Sequence, residues 1–381
     1  MRICFILNHY PSKKEPIDAF IRPVVSELSK QGNECVVIAP QSIVNIWMKK
    51  SENRPKIWRD DFSDGSFAII YQPLYLSMSN IKVFGQSLSF LFQDIATRRV
   101  IRKEKIKPDV FYGHFWTRGV AAGLIKANDS VPVVVVSGES KVDVYDKYPK
   151  RIIKQAKEKI KGAIFVSKKN KDESLDLKLL DVSIYNKIIP NGYNRKDFYK
   201  INRFEARESL KISNNERIAI FVGTFGYRKG IDRVISAAKS IPSLKLILIG
   251  DGNPPEDTEQ IIFKGRVPHS ELVTYLNAAD FFVLPTLAEG CCNAIVEALA
   301  CGLPIISSNL SFNDDILDNT CSIRIDPLDV SALEKAMKKL TEESVLREKL
   351  SLGALEKAKS LSIDERVKKI QSFLTDVVKK S

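Results

Sequence analysis

The chain has 381 residues, of which 44% are hydrophobic and 28% charged, with a formal net charge of +13. This is too long for one ordinary core and long enough for two domains of typical size. No stretch approaches the ~20 apolar residues of a membrane span, "MRICFILN" is too short for a secretion signal, and six cysteines without a Cys-x-x-Cys pair beside three scattered histidines (His9, His114, His269) exclude zinc-type spacing, so a cytoplasmic, metal-free protein with reduced, mostly buried thiols is expected.

In chain order, short apolar runs alternate with helical periodicity. Strands are predicted at 2–7, 34–40, 67–73, 109–115, 131–137, 163–167 and 185–192, and helices at 17–31, 84–106, 117–127 and 149–161. Runs such as "VPVVVVS" are too apolar to alternate, which predicts strands buried on both faces and hence a parallel sheet. The rhythm restarts with strands at 217–223, 244–250, 261–265, 281–285, 304–308 and 322–326, interleaved with helices at 230–240, 270–278 and 293–301 and followed by helices to the end. Two doubly wound α/β units joined near 193–214 account for this order, and neither first strand is followed by the Gly-x-Gly-x-x-Gly of a dinucleotide site.

In an open parallel sheet, ligands bind beyond the carboxyl ends of the strands. After "AIFVG" comes "TFGYRKGID", where Gly223, Gly226 and Gly230 permit tight turns and Arg228 and Lys229 bring positive charge before a helix, the makings of a diphosphate cradle. After "FFVLP" comes "TLAEGCC" and then a helix, read as capped by Asn293 and ended at Gly302. The amides around 290–294 would accept a phosphate, with Gly290 and Asn293 as candidate contacts. Glu297 is placed in the first turn of that helix, suited to ribose hydroxyls, and Glu289 on the loop, suited to the reacting group.

These segments, "FVGTFGYRKGIDRVISA", "LILIGDG", "FKGRVPHSELVTYLNAADFFVLPTLAEGCCNAIVEALACGLPIISS" and upstream "IPNGYNRKDF", resemble the signature regions of retaining sugar-nucleotide glycosyltransferases of family 4. The resemblance runs densely from about 185 to 308. It implies the α/β GT-B fold, two Rossmann-like doubly wound domains facing each other across a cleft, with an acceptor-binding domain over 1–195 plus a returning C-terminal helix at 362–381, and a nucleotide-sugar-binding domain over 196–361. It implies Lys229 at the donor diphosphate, Glu297 at the ribose, Glu289 beside the transferred sugar, and Arg266 and Val267 in the loop whose backbone meets the base. The reaction implied is transfer with retention, the departing diphosphate being stabilised by Lys229, Arg228 and helix-end amides without an obligatory metal or other cofactor.

The chain departs from the family at several positions. Thr224 stands where an Arg usually follows "FVG", and Arg228, at a position usually held by Glu, is the candidate replacement. A usual His-x-His reads Tyr112-Gly113-His114, and a usual His-Gly-x-Asp reads Ser137-Gly138-Glu139-Ser140. His114 is accordingly open between a catalytic residue and a core residue, and Glu139, Lys13 and Lys14 are candidates on the acceptor side.

The charge is one-sided. The 59 Lys and Arg and 46 Asp and Glu divide as 35 and 21 in residues 1–200, leaving 24 and 25 in the rest. Basic helices at 96–107 and 147–161 therefore suggest an anionic, inner-leaflet membrane surface as a partner, beside a glycan or lipid-linked acceptor and the nucleotide-sugar. A catalytically silent glycan-binding or scaffolding relative is the alternative. Nucleic acid is not expected, since no helix-turn-helix, RNP-type or zinc pattern accompanies the basic half.

Overall fold

A computed structural model of the chain describes residues 1–12, 20–78, 81–126, 130–181 and 184–381. It separates into two compact units: Met1–Val166 with Asn170–Ile189 and Val367–Ser381, and Ser167–Lys169 with Pro190–Arg366.

The first unit runs β1 (Arg2–Ile6), α1 (Ile21–Lys30), β2 (Glu34–Ile38), β3 (Gln41–Ser42), α2 (Ile43–Trp47), β4 (Ile57–Asp61), β5 (Phe67–Tyr71), β6 (Leu74–Tyr75), β7 (Lys82–Val83), β8 (Gln86–Ser87), α3 (Leu88–Lys103), β9 (Val110–His114), α4 (Trp116–Gly123), β10 (Val133–Ser137), α5 (Val144–Lys147), α6 (Lys150–Lys157), β11 (Ile160–Phe165), α7 (Lys168–Asp176) and β12 (Tyr185–Ile188). Its main sheet has the order β12-β11-β10-β9-β1-β2-β5-β4. All neighbours are parallel except β4, which pairs antiparallel with β5 at the edge. The sequence reading missed β4 because "IWRDD" is half solvated and lacks an apolar run; an edge strand needs to bury only one side.

The predicted strands are apolar throughout because helices cover both faces; every residue of β9 and β10 is buried. Helix α4 lies directly on this sheet through glycine. A Cβ at Gly119 would sit 2.4 Å from Val135 Cγ2, and one at Gly113 2.5 Å from the Gly119 Cα, so side chains there would push the helix off the strand. A polar network ties α3 to α4: Arg118 and Tyr148 both donate to the fully buried Asp94, at 3.3 and 2.8 Å, and burial raises the Asp94 carboxyl to about 6. The helix predicted over 84–106 starts at Leu88, because Lys82–Ser87 form the antiparallel hairpin β7–β8.

The second unit continues α8 (Arg203–Ser209), β13 (Arg217–Val222), α9 (Ile231–Ala238), β14 (Leu244–Ile249), β15 (Ile261–Gly265), α10 (Leu272–Ala278), β16 (Phe281–Leu284), α11 (Asn293–Ala300), β17 (Ile305–Ser308), β18 (Ser322–Ile325), α12 (Val330–Glu342) and α13 (Ser344–Lys359). The last helix, α14 (Ile363–Lys380), belongs to the first unit from Val367 onward. The sheet is parallel throughout, in the order β15-β14-β13-β16-β17-β18. Strand β13 is hydrogen-bonded to β14 on one side and β16 on the other, so the order reverses between β13 and β16. This is the switch point at which ligands enter such sheets.

At the opposite, amino end of β16, the fully buried Asp280 carboxylate accepts from Arg203, Arg207 and Arg217 at 2.6, 2.9 and 3.3 Å and from the Ile218 amide at 2.8 Å. The cluster pins α8 to the sheet. Among the described residues, no helix is long and apolar enough to cross a membrane, and all six cysteines are buried free thiols.

Candidate functional site at the carboxyl ends of the second sheet

The loops after β13 and β16 flank the switch point and are bonded to each other in both directions. The Leu287 amide donates to the Arg228 carbonyl at 2.9 Å, and Arg228 Nη1 donates to the Ala288 carbonyl at 2.5 Å. The turn into α9 depends on Gly230, whose φ is +82° and whose Cβ, if present, would lie 2.5 Å from Arg233 Nη2 and 2.8 Å from the Pro285 carbonyl. By contrast, Gly226 has open space where a Cβ would be, so its freedom is not what shapes this loop.

The loop pair brings the predicted Lys229 and Glu289 into contact. Glu289 Oε1 accepts from Lys229 Nζ at 2.6 Å, from Thr286 Oγ1 at 2.9 Å and from Arg228 Nη1 at 3.1 Å. Three donors thus converge on one carboxylate oxygen. Burial lowers the proton affinity of the Lys229 ammonium, but the Cys292 and Glu289 fields and the hydrogen bond to Glu289 outweigh it, and the net shift is upward. Lys229 is therefore a fixed cation. Arg228 is half exposed beside it, while Thr224, at the position vacated by the family's usual Arg, faces solvent.

Helix α11 follows. Its N-cap is Cys292, with no side-chain capping bond, and Asn293 is its first residue; the expected Asn293 cap is not formed because the Asn293 Oδ1 accepts instead from Asn191 Nδ2 at 2.8 Å. Glu297 is likewise the fifth residue of the helix, one turn beyond the first turn expected for it and on the same face as Asn293. The first amide bonded within the helix is that of Val296, to the Cys292 carbonyl, which leaves the amides of 293–295 at the positively polarised end. The Cys301 C-cap and Gly302, with φ of +73°, end the helix as its sequence indicated.

Glu297 is largely buried, and its Oε1 lies 3.2 Å from His269 Nε2. Burial raises the Glu297 carboxyl and the histidine pulls it back; the hydrogen bond to Glu297 raises His269 in turn. Sequence reasoning gave His269 no role, although it sits in the same "GRVPHS" loop as Arg266 and Val267. Arg266 is exposed, with Nη2 2.6 Å from Asp251 Oδ2, and Val267 is half-buried. Gly290 is buried on the loop between Glu289 and α11. Thr286, Asn191 and Arg366 also went unassigned: Arg366 donates to Asn191 Oδ1 at 2.7 Å, and Asn191 donates to the Cys291 carbonyl at 3.2 Å, fixing the loop before α11. The Asn-Gly turn at 191–192 was the sequence signal for Asn191.

In the first unit, His114 ends β9, is 3% exposed, and packs among Tyr112, Phe115 and Phe20. Glu139 follows β10. Its carboxylate accepts from the Trp116 amide at 2.6 Å and from Ser137 Oγ at 2.7 Å, so it sits at the amino end of α4, and burial raises its carboxyl. Lys13 and Lys14 lie outside the described residues.

Residues 202–357 match the family described as "Glycosyl transferases group 1". The matched residues lie within the second unit. Over nearly the whole length, the chain is 28% identical to a putative teichuronic acid biosynthesis glycosyltransferase, TuaC, of Bacillus subtilis (91% of this chain, 90% of the relative). It is 26% identical to a UDP-Gal:alpha-D-GlcNAc-diphosphoundecaprenol alpha-1,3-galactosyltransferase of Escherichia coli (94% and 96%). Among solved structures, it resembles a sucrose-phosphate synthase of Thermosynechococcus elongatus with a TM-score of 0.77 at 17% identity over 100% of both chains, and Anabaena Alr3699/HepE in complex with UDP with 0.72 at 13% over 99% and 100%. The two units are the two Rossmann-like units of the GT-B fold.

Proposed function

We propose that the protein is a retaining glycosyltransferase that moves a sugar from a nucleotide-sugar to a lipid-linked or growing surface-polysaccharide acceptor. The observation that carries this is the convergence of Lys229, Arg228 and Thr286 on Glu289 at the β13/β16 switch point, on the loop that leads into the positively polarised amino end of α11. In this reading the second unit is the donor domain and the first, with part of α14, the acceptor domain.

The ribose hydroxyls donate to Glu297, which His269 orients. The diphosphate lies against Lys229, Arg228 and the amides of 290–294, and the base meets the backbone at Arg266 and Val267. As the glycosidic bond to phosphate breaks, charge grows on the departing oxygens, and fixed cations and amides already aimed there lower the barrier without waiting for reorganisation. These groups supply the charge that a metal would otherwise bring, so no obligatory metal is assigned. Glu289 faces the sugar and stabilises the positive charge that develops on its ring. His114 and Glu139 are placed on the acceptor side, where Glu139 positions α4 and His114 closes the end of β9. The relatives whose names specify undecaprenyl diphosphate or teichuronic acid support an acceptor of the envelope-glycan type.

The test has two stages. A panel of nucleotide-sugars in thermal shift identifies the donor, and slow hydrolysis of that donor is then followed in the wild type and in Glu289→Ala. Turnover lost in the variant supports the proposal. Binding without any turnover in either protein contradicts it and favours a silent glycan-binding relative.

A further inference from the structure

Of the eighteen strongly exposed large apolar side chains among the described residues, eleven fall between Ile43 and Ile95 in the first unit. Five of them, Ile43, Ile57, Leu74, Leu76 and Ile95, line one groove. Strand β3 pairs with β6, aligning Ser42 with Tyr75 and setting α2 beside Leu74 and Leu76. Ile43 and Trp47 lie one turn apart on α2. The groove has a volume of about 460 Å³ and runs to α3. The β7–β8 hairpin is bonded to the start of α3 by the Leu88 amide, which donates to the Ile81 carbonyl at 3.0 Å.

Two features of this patch do nothing for the fold. Trp47 is 82% exposed and Phe84 is 97% exposed. Phe84 also holds φ of +49°, next to Gly85 at +79°, in a two-residue hairpin turn. That turn favours Asn-Gly, and bulky L-residues avoid the left-handed region, so a phenylalanine there is strained and unburied at the tip of the hairpin.

The surroundings are basic. Lys56, Arg99 and Lys103 line the groove, Lys49 and Lys50 follow α2, and Lys82 is in the hairpin. The nearby acids are mostly engaged elsewhere: Asp60 with Arg22, Asp61 with Arg59 and Asp94 with Arg118, leaving Glu104 at the groove, 3.4 Å from Lys103. Exposed aromatic and aliphatic side chains interspersed with lysine and arginine match the headgroup boundary of an anionic bilayer, which takes the apolar tips into its acyl edge and the cations among its phosphates.

We propose that α2, β6, the β7–β8 hairpin and α3 form a docking face for an anionic lipid bilayer, with Trp47 and Phe84 as its inserting side chains. The proposal builds on the lipid-linked acceptor reading above, but lipid binding can be read without any transfer. It also assigns the membrane contact to a defined apolar face, where charge alone had indicated whole basic helices.

The experiment is flotation of the full chain with phosphatidylcholine vesicles with and without phosphatidylglycerol, at low and high salt, with tryptophan emission recorded. The wild type is expected to float with the anionic vesicles, less so at high salt, and its emission to shift to the blue because Trp47 leaves water; the shift is absent in Trp47→Phe. Phe84→Asn restores the residue that the turn prefers, so it should be at least as thermally stable as the wild type. Combined with Trp47→Ser, it should bind anionic vesicles at least tenfold more weakly. Undiminished binding by the double variant, or equal binding to neutral vesicles, overturns the proposal. Lipid-free self-association abolished by the same substitutions also overturns it, by making a second copy the occupant. Nucleoside diphosphate binding should be unchanged in the double variant; if the wild type binds vesicles but no nucleotide, the transfer reading fails and the docking face stands.

Discussion

Replacing Glu289 by Gln should separate binding from transfer. In the structure, Oε1 of this residue is the acceptor for Lys229, Arg228 and Thr286, and the Lys229–Glu289 pair is mostly shielded from solvent. A hydrogen bond involving charge is worth about 1.5–3 kcal/mol, and about 1.4 kcal/mol is a factor of ten in affinity. A diphosphate approaching Lys229 must compete with that carboxylate and is repelled by it. Glu289→Gln removes the charge and keeps the shape, so affinity for the nucleoside diphosphate should hold or rise by up to about tenfold. Turnover should fall roughly 10²–10³-fold, the usual cost of losing a group that stabilises transition-state charge. Calorimetric titration with the diphosphate identified by thermal shift gives the first quantity, and chromatographic assay of donor consumption gives the second. If the variant instead loses affinity as severely as Lys229→Met, Glu289 is holding the lysine in place for the ligand, and its assignment to the sugar is wrong.

The Glu297–His269 pair gives a pH prediction: Glu297 must be ionised to accept from ribose hydroxyls, and burial raises its carboxyl above 4.5, so nucleotide affinity should fall with acid at a higher pH than an ordinary glutamate would dictate. His269→Ala removes the group that pulls Glu297 down, so the acid limb should move further up; an unmoved limb in the titration series refutes the coupling. The raised His269 contributes stability that is present below its unfolded pKa and fades as pH rises through its native one, and Glu297→Gln should lower the histidine pKa read by NMR. Asp280→Asn leaves the fully buried Arg207 without its carboxylate and should destabilise the second unit by about 3–5 kcal/mol in denaturant unfolding, while the folded protein keeps its nucleotide affinity because Asp280 is at the other end of β16 from Glu289. Gly230→Ala forces a Cβ against Arg233 and the Pro285 carbonyl at φ of +82°, at a cost of roughly 2 kcal/mol or more, and should lower the melting temperature by on the order of 5 °C with weakened donor binding; an unchanged melting curve would show that the turn relaxes freely.

The parallel sheets were readable because "VPVVVVS", "RIAIFVG" and "LKLILIG" are apolar without alternation, a pattern that only strands covered on both faces can afford. What escaped was structure without that signature. Strand β4 is charged and half solvated, and the β7–β8 hairpin carries Phe where a turn residue would have announced it. In the site, Lys229 and Glu289 could be proposed from loop position, but nothing in their sequence spacing of sixty says that they touch. The cap of α11 was misassigned for a related reason. Asn293 is a good capping residue in isolation, but Asn191, about a hundred residues earlier, takes its side chain and leaves Cys292 at the cap position. His269 and Arg366 act through partners distant in the chain, and only the fold brings them together.

The central claim is that the second unit holds a nucleoside diphosphate through Lys229. Calorimetric titration of the full chain with uridine, guanosine, adenosine and thymidine diphosphates, repeated on Lys229→Met, tests it directly. Saturable binding of at least one of them by the wild type and a loss of tenfold or more in the variant are expected; binding of equal strength in both proteins would contradict the role given to Lys229.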